Sequence, residues 1–229
     1  MSPAVPTLDL ESRLLGASPL VIGLDEVGRG ALAGPVAVGA AAVDAGVAAT
    51  PLPEGLRDSK LVSEKRRPDL AERTADWVRA GSVGWATPGE VDEIGILGAL
   101  GLAGTRALLR LAEAGVDVPA GVVLLDGDRD YVSRPARDEF GALDVRPVVK
   151  GDRDAASISA ASIAAKVARD AVMVDLHEQF APYGWDRNKG YASAAHRQAI
   201  AEHGLTPHHR ASWAIAPAAG LFGRRPVGS

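Results

Sequence analysis

The chain has 229 residues, is 47% hydrophobic and 24% charged, and carries a formal net charge of −4 at pH 7, values that are ordinary for a soluble globular protein of one large or two small domains. It contains no cysteine, which excludes disulfides, thiolate catalysis and zinc bound by sulfur. No apolar run reaches the length of a membrane span, and Asp9 and Glu11 precede any apolar stretch, so we expect a cytoplasmic protein without a membrane segment or secretory signal.

Strands and helices are predicted to alternate along the chain. Residues 1–18 are expected to form a loosely held N-terminal tail. Apolar runs bounded by turn residues predict five strands, at 21–26, 34–43, 81–86, 121–126 and 143–149. Helices are predicted at 63–80, with Ser63 as the N-cap, and at 88–113 and 157–180. From Trp185 onward we expect helices and loops without a strand, and the whole pattern is typical of an α/β layered fold.

The first predicted strand ends in two carboxylates, Asp25 and Glu26, and a turn formed by Gly28, Arg29 and Gly30 follows. Neighbouring strand residues point to opposite faces, so a metal at the strand end would be reached by one side chain and more loosely by the other. Arg29 between two glycines suits close approach of the backbone and a guanidinium to a phosphate. Taken alone, such a pair of acids is more often part of an ordinary charged turn.

Two further predicted strands also finish at an acid: Asp126 closes the fourth, and Asp152 comes just after the fifth. Ligand sites in open α/β sheets gather at strand ends, so these acids and the first pair converge if the three strands are neighbours. Four carboxylates without His or Cys suit a hard cation such as Mg²⁺ or Mn²⁺, and a pair of such ions activates water and stabilises the leaving oxygen of a phosphodiester. Each acid alone has a simpler explanation as a turn or helix-cap residue.

The charge of the chain is unevenly distributed. Residues 185–225 contain six Lys or Arg, two acids, and four of the five histidines. The net acidity argues against indiscriminate nucleic-acid binding, whereas an acidic site together with a basic, aromatic-containing segment suits metal-assisted cleavage of a polyanion. A solvated basic surface is the alternative explanation for this segment.

Several motifs together resemble the type 2 ribonuclease H family, specifically bacterial ribonuclease HII. The matching stretches have the order and spacing of that family and run from about Val21 to Trp213. They are residues 24–36, 58–61, 125–127, 149–152, 158–170, 189–191, 196 and 209–213. The departures are small: Ala31, Ser193 and Trp213 stand where the family more often has proline, threonine and phenylalanine.

This resemblance implies an RNase H-like mixed five-stranded sheet flanked by helices, with a C-terminal helical extension. It implies a catalytic domain at residues 19–213 and a C-terminal tail at 214–229. The implied activity is cleavage of the RNA strand of RNA–DNA hybrids and nicking on the 5′ side of single ribonucleotides in duplex DNA. The products carry 3′-hydroxyl and 5′-phosphate ends, and the implied role is removal of misincorporated ribonucleotides. At one nucleotide only the 2′-hydroxyl separates RNA from DNA.

The resemblance also implies roles for individual residues. The family's metal-binding catalytic acids correspond to Asp25, Glu26, Asp126 and Asp152. Asp170 matches a further acid near the site, and its alternative role is a surface ion pair with Arg169. Gly28, Arg29 and Gly30 match a turn that senses the 2′-hydroxyl through its backbone, and Tyr191 matches a tyrosine that packs on the sugar. Phosphate contacts that do not read sequence are expected from Lys60, Lys189, His209 and Arg210.

Two other functions are compatible with the same residues. One is a phosphatase or a different nuclease with a carboxylate metal site, and the other is a non-catalytic nucleic-acid-binding module whose acids hold a structural cation. Nothing in the sequence demands more than a monomer, and a sliding-clamp contact through the C-terminal tail is a further hypothesis. A duplex with one ribonucleotide, incubated with Mg²⁺ or with chelator, separates these functions.

Overall fold

The computed structural model describes residues 5–57 and 59–213, except for the side chain of Lys60. The strands of this part are β1 (Val21–Val27), β2 (Val36–Val43), β3 (Ala80–Ala86), β4 (Val122–Asp126) and β5 (Asp144–Val148). Its helices are α1 (Asp9–Leu15), α2 (Ala45–Ala48), α3 (Arg67–Trp77), α4 (Pro88–Glu113), α5 (Arg137–Phe140), α6 (Gly151–Asp154), α7 (Ala156–Gln179), α8 (Trp185–Asn188) and α9 (Ala194–His203). Short 3₁₀ turns lie at Ser59–Leu61, Glu64–Arg66, Val118–Ala120 and Ala181–Tyr183.

The five strands form one mixed sheet in the order β3-β2-β1-β4-β5. β1 pairs antiparallel with β2 and parallel with β4, and β4 pairs parallel with β5. Because β1, β4 and β5 are parallel neighbours, their carboxyl ends meet at one edge of the sheet. The predicted α/β fold with a mixed five-stranded sheet flanked by helices is confirmed. β1, β4 and β5 are also neighbours in the sheet, as the predicted convergence of the acids requires.

Helices cover both faces of the sheet. α7 crosses one face so closely that a Cβ atom at Gly23 in β1 would lie 2.2 Å from the carbonyl carbon of Ser157. α4 is equally close on the other face, where a Cβ atom at Gly84 in β3 would lie 2.0 Å from the carbonyl oxygen of Ala103. Any side chain at either glycine would push a helix away from the sheet. This close packing fixes α7, which carries several site residues, against the strand that carries Asp25.

α4 is a core helix. By length and composition alone it is able to cross a membrane, contrary to the sequence-based expectation that no segment qualifies. Its most apolar window is 50% buried within the fold, however, and the helix packs on β2 and β3. Gly95, with a φ of 73°, kinks it near its first turns.

The prediction of a loosely held tail at residues 1–18 is wrong for the described part that includes α1. Thr7 pairs with Ala155 in an isolated β-bridge just before this helix. The fully buried Glu11 then accepts hydrogen bonds from the backbone N–H of Ser157 at 2.8 Å and from its hydroxyl at 2.7 Å. The apolar side of α1 packs against the cluster formed by β1, β4 and α7. A short helix with an acid on its buried side resembles a surface segment in sequence, which explains the error.

Glu11→Ala is expected to destabilise the protein by about 2–3 kcal/mol, because it leaves the buried N–H and hydroxyl of Ser157 without an acceptor. Thermal unfolding followed by circular dichroism measures the effect, and Asp9→Ala, on the exposed side of the same helix, is the matched control. Equal melting temperatures for the two variants would show that the N-terminal segment is not anchored through Glu11.

The helix predicted at 63–80 is shorter than expected. α3 begins at Arg67, with Pro68 in its first turn, where proline is favoured. Ser63 precedes the 3₁₀ turn and its side chain makes no cap hydrogen bond, so the predicted N-cap is wrong. After α3 the chain enters β3 at Ala80.

From Trp185 to residue 213 the chain forms helices and loops without a strand, as predicted. Residues 214–229, including the predicted C-terminal tail and its clamp contact, lie outside the described residues.

Candidate active site

Acids from β1 and β4 line a cavity of about 440 Å³ at the carboxyl edge of the sheet. Asp25, Glu26 and Asp126 lie on its wall, together with the turn at residues 28–30 and the side chain of Tyr191. The remaining polar lining consists of Ser59, Ser162 and Lys166. The cavity therefore combines negative charge, hydroxyl groups, one amino group and one aromatic ring.

Asp25 is the most buried of the acids in the cavity wall. It lies beside Asp126 because β1 and β4 pair in parallel register, residue 24 opposite residue 125. Burial raises the pKa of the Asp25 carboxyl well above its ordinary value. A hydrogen bond with Ser162 opposes this shift, and the negative charges of the three other acids add to it. Asp25 is therefore a carboxyl group that favours a proton or a neighbouring cation.

Asp152 joins the cluster from α6, which follows β5 directly. Its backbone N–H donates to Asp126 Oδ1 at 3.1 Å. Burial raises the pKa of Asp126; the hydrogen bond from Asp152 N–H opposes this, while the charges of Asp152 and Glu26 add to it. Lys150, with a φ of 61°, makes the turn that carries Asp152 to the end of β4. All four acids predicted from strand ends thus lie in one electrostatically coupled group.

The chemistry of this group fits a divalent cation. Several carboxylates that are buried together repel one another until positive charge is placed among them. Oxygen ligands without His or Cys suit Mg²⁺ or Mn²⁺ better than zinc. Within residues 5–57 and 59–213, no group of three or more His, Asp or Glu side chains is already arranged to hold one ion. The acids match a divalent cation in chemical type, but their side chains as placed do not form a complete ligand set.

The glycine-containing turn lies against Tyr191. The N–H of Gly28 donates to the phenolic oxygen of Tyr191 at 3.2 Å, and Gly28 has a φ of 83°, which favours glycine. The Arg29 side chain is half exposed and pairs with Glu26 at 3.4 Å. Tyr191 itself keeps 37% of its surface exposed. The turn and the ring therefore present one continuous surface beside the acids.

Three polar residues of the cavity wall, Ser59, Ser162 and Lys166, were not predicted as site residues from the sequence. Ser162 Oγ donates to Ser59 Oγ at 2.9 Å. Lys166 follows Ser162 by four residues on α7, so both side chains point from the same helix face. That spacing is visible in the sequence within the helix predicted at 157–180. Ser59 lies in the matched stretch at 58–61.

Asp170 orients Lys166 and is absent from the cavity wall. It accepts from Lys166 Nζ at 2.5 Å and pairs with Arg67 at 3.5 Å. The alternative prediction, an ion pair with Arg169, is wrong because consecutive helix residues diverge whereas residues four apart meet. Burial lowers the pKa of Lys166, and the hydrogen bond to Asp170 opposes this shift.

Burial contradicts three of the predicted phosphate contacts. Lys189 is 6% exposed and pairs with Glu64 at 2.8 Å, and His209 is 2% exposed. Arg210 is fully buried and donates to the backbone carbonyls of residues 28, 29 and 34. Burial lowers the pKa of Arg210 to about 10, so it remains protonated at neutral pH. The fourth predicted contact, Lys60, has a side chain outside the described residues.

His209 belongs instead to a buried network with His196. The Nε2 atoms of the two rings are 3.2 Å apart, and His196 Nε2 also accepts from the Trp185 indole N–H at 3.1 Å. His196 Nδ1 lies 2.9 Å from the carbonyl of Tyr191, and His209 Nδ1 accepts from the N–H of Thr206 at 2.9 Å. These contacts are all satisfied when both imidazoles are neutral, His196 carrying its proton on Nδ1 and His209 on Nε2.

Because both histidines are neutral in the folded state, we expect the protein to lose folding stability in acid. Burial, and then the charge of His196, lowers the pKa of His209 to about 4. Unfolded histidine titrates near 6.5, so the unfolded state takes up the proton first and stability falls as pH drops from about 6.5 towards 4, by up to roughly 3 kcal/mol. Urea unfolding at pH 7.5 and pH 5 measures the loss. His209→Gln should show a smaller loss between the two pH values, and an unchanged loss would assign the lability to other groups.

The model of the ribonuclease HII family matches residues 22–216 of the chain. A curated ribonuclease HII from Streptomyces avermitilis is 43% identical over 212 residues, which cover 93% of this chain and 84% of the relative. A chain in the structure of the PCNA:RNase HII complex from Archaeoglobus fulgidus aligns with a TM-score of 0.65 and 26% identity, over 90% of this chain and 98% of that one. Bst-RNase HIII in complex with Mn²⁺ aligns with a TM-score of 0.67 over 92% of this chain and 71% of that one, and at 24% identity this likeness concerns the fold alone. The chain therefore belongs to the ribonuclease HII family and is an endonuclease of the ribonuclease H type.

Proposed function

We propose that this protein is a divalent-metal-dependent ribonuclease that cuts the RNA strand of RNA–DNA hybrids and nicks duplex DNA on the 5′ side of single embedded ribonucleotides. The products carry 3′-hydroxyl and 5′-phosphate ends. The observation that carries this proposal is the placement of the four coupled acids beside a glycine turn and an exposed tyrosine. A phosphodiester at the acids would have its sugar against the turn and the ring.

Asp25, Glu26, Asp126 and Asp152 are the residues proposed to hold Mg²⁺ or Mn²⁺, as one or two ions. When bound, such a cation supplies a Lewis acid that stabilises the charge developing on the phosphate. Hydroxyl groups of Ser59 and Ser162 and the amino group of Lys166 lie on the same wall. Lys166, which is oriented by Asp170, and Arg29 are the cations of this wall, and both offset part of the charge of the acids or of a phosphate.

The chain's own residues supply recognition of the sugar. The Tyr191 oxygen accepts the N–H of Gly28, so its proton remains available to donate to a ribose hydroxyl. The exposed ring face provides a flat apolar surface for the sugar. The half-exposed guanidinium of Arg29, at the mouth of the cavity, suits a phosphate oxygen once it leaves Glu26. None of these contacts reads a base, so we expect recognition without sequence preference.

The proposal extends to the cellular role and partners. The proposed substrate implies a role in removing misincorporated ribonucleotides, and we further propose that the enzyme acts as a monomer in the cytoplasm. A sliding-clamp contact through residues 214–229 is proposed because a solved relative is in complex with PCNA.

The test is a labelled duplex with one ribonucleotide, incubated with the protein in Mg²⁺, in Mn²⁺ or in EDTA, with an all-DNA duplex of the same sequence as control. A metal-dependent nick 5′ to the ribonucleotide, with no cut in the control, is expected. Binding without cleavage would favour a non-catalytic module. Release of phosphate from simple monoesters, with the duplex intact, would favour a phosphatase.

A further inference from the structure

Two buried arginines lie beneath the turn at residues 28–30. Arg169 and Arg210 are both 0% exposed, and neither forms an ion pair with any residue in 5–57 or 59–213. Five of their six donor nitrogens are directed instead at backbone carbonyls, and the sixth, Arg210 Nε, has no partner among the described residues. Burying a guanidinium without a carboxylate is unfavourable, and apolar residues of similar volume would pack at lower cost. These arginines therefore do more than fill space.

Arg210 fixes two consecutive peptide planes of the turn. It donates to the carbonyl of Gly28 at 2.6 Å and to that of Arg29 at 2.9 Å. In a trans peptide the N–H points opposite to the C=O, so the N–H groups of Arg29 and Gly30 point away from Arg210. These two N–H groups have no acceptor within the described residues. A Cβ atom built at Gly30 would meet nothing within 4 Å, so the turn faces open space there.

Arg169 connects the same turn to Tyr191. It donates to the carbonyls of Pro35 at 2.8 Å and Lys189 at 2.9 Å, which lie just after the turn and just before Tyr191. Its guanidinium carbon is 5.4 Å from the centre of the Tyr191 ring. A Cβ atom at Gly28 would lie 2.1 Å from Arg169 Nε, so the guanidinium occupies the space that a side chain at Gly28 would need.

We propose that Arg210 and Arg169 are positioning residues for ribose recognition: Arg210 holds the N–H groups of Arg29 and Gly30 towards the cavity as paired donors for a sugar oxygen, and Arg169 holds Tyr191 beside them. The inference rests on the proposed function. It replaces the phosphate-binding role expected for Arg210 from the sequence. The ligand it implies is a single 2′-hydroxyl, an oxygen small enough to be reached by two adjacent backbone donors.

The test compares dissociation constants for a duplex with one ribonucleotide and an all-DNA duplex of the same sequence, by fluorescence anisotropy in CaCl₂. Wild-type protein has to prefer the ribonucleotide; no preference would defeat the proposed function itself. Arg210→Lys and Arg169→Lys are expected to reduce this preference about five-fold or more, as for loss of one or two hydrogen bonds, while affinity for all-DNA duplex stays within about two-fold.

Arg106→Lys is the matched control, because Arg106 also donates to a backbone carbonyl, that of Trp85, but lies away from the cavity. It should lower the melting temperature and keep the wild-type preference. If the lysine variants at positions 169 and 210 do not fold, the same binding preference is measured on Asp92→Ala instead. The half-buried Asp92 carboxylate accepts the N–H groups of Ala211 and Ser212, the two residues that follow Arg210, and its loss should reduce the same preference. A folded variant of Arg210 or Asp92 with the wild-type preference would overturn the inference.

Discussion

Asp25→Asn is expected to lower kcat on a duplex with one ribonucleotide by roughly 10²–10³-fold, which is about 3–4 kcal/mol of activation free energy. The same variant is expected to stabilise the metal-free protein. Catalysis should fall because the most buried of the four proposed cation ligands loses its charge. Asp126→Asn, one strand away, should have the same effect on kcat. Loss of activity together with a gain in stability distinguishes a catalytic acid from a structural one.

The gain in stability follows from the direction of the pKa shift. The folded state raises the pKa of Asp25 above its unfolded value, so the penalty for ionised Asp25 is full at every pH above the folded pKa. It declines as pH falls from the folded pKa to the unfolded pKa. Asparagine keeps the size of the side chain and removes the charge. At pH 7.5 in EDTA the melting temperature should rise, by about 2–4 °C for each kcal/mol in a domain of this size.

Asp144→Asn is the control for this experiment. Asp144 begins β5, at the opposite end of the sheet, and its hydrogen bond with Arg146 lowers its pKa. Asparagine at that position should leave kcat unchanged and give no gain in stability. Wild-type turnover by Asp25→Asn, or a fall in the melting temperature of the metal-free variant, would remove Asp25 from the proposed role.

Tyr191→Ala should reduce cleavage at a lone ribonucleotide by roughly 100-fold, and Tyr191→Phe by about 10-fold. The phenylalanine variant keeps the ring but leaves the N–H of Gly28 without its acceptor and removes a donor to the sugar. The alanine variant also loses the flat surface for the ribose. Steady-state kinetics on single-ribonucleotide and long-hybrid substrates measure both effects.

Tyr183→Phe is the matched control for Tyr191, because its hydroxyl also bonds to the backbone, donating to the carbonyl of Gly204 at 2.8 Å, within a buried aromatic cluster. It should cost stability without changing the rate at a lone ribonucleotide. Rates of Tyr191→Ala at the wild-type level would show that the ring does not contact the sugar.

The acids of the site were predictable because their signal is local. Asp25, Asp126 and Asp152 each follow an apolar run, and strand ends are where parallel neighbours meet. The sequence alone left open which strands are neighbours. The observed strand order, in which β4 lies between β1 and β5, shows that the three strands that carry or precede the acids are neighbours.

The roles of buried cations were not predictable in the same way. Residue type suggested that Arg210 and Lys189 bind phosphate, but burial depends on contacts between residues far apart in the chain, such as Arg210 with Gly28. The burial of Glu11 was not predicted for the same reason, because its partner Ser157 lies 146 positions away in the chain. Charged residues are usually exposed, and these exceptions reveal themselves only when the fold supplies their partners.

We propose that four acids from separate parts of the chain hold one or two divalent cations, and a crystal grown with MnCl₂ and measured at the manganese absorption edge is the sharpest test. We expect an anomalous peak within coordination distance of Asp25 and Asp126, with Glu26 and Asp152 turned towards it. A fully occupied manganese peak elsewhere on the protein, with no density among these four carboxylates, would show that they do not form the metal site.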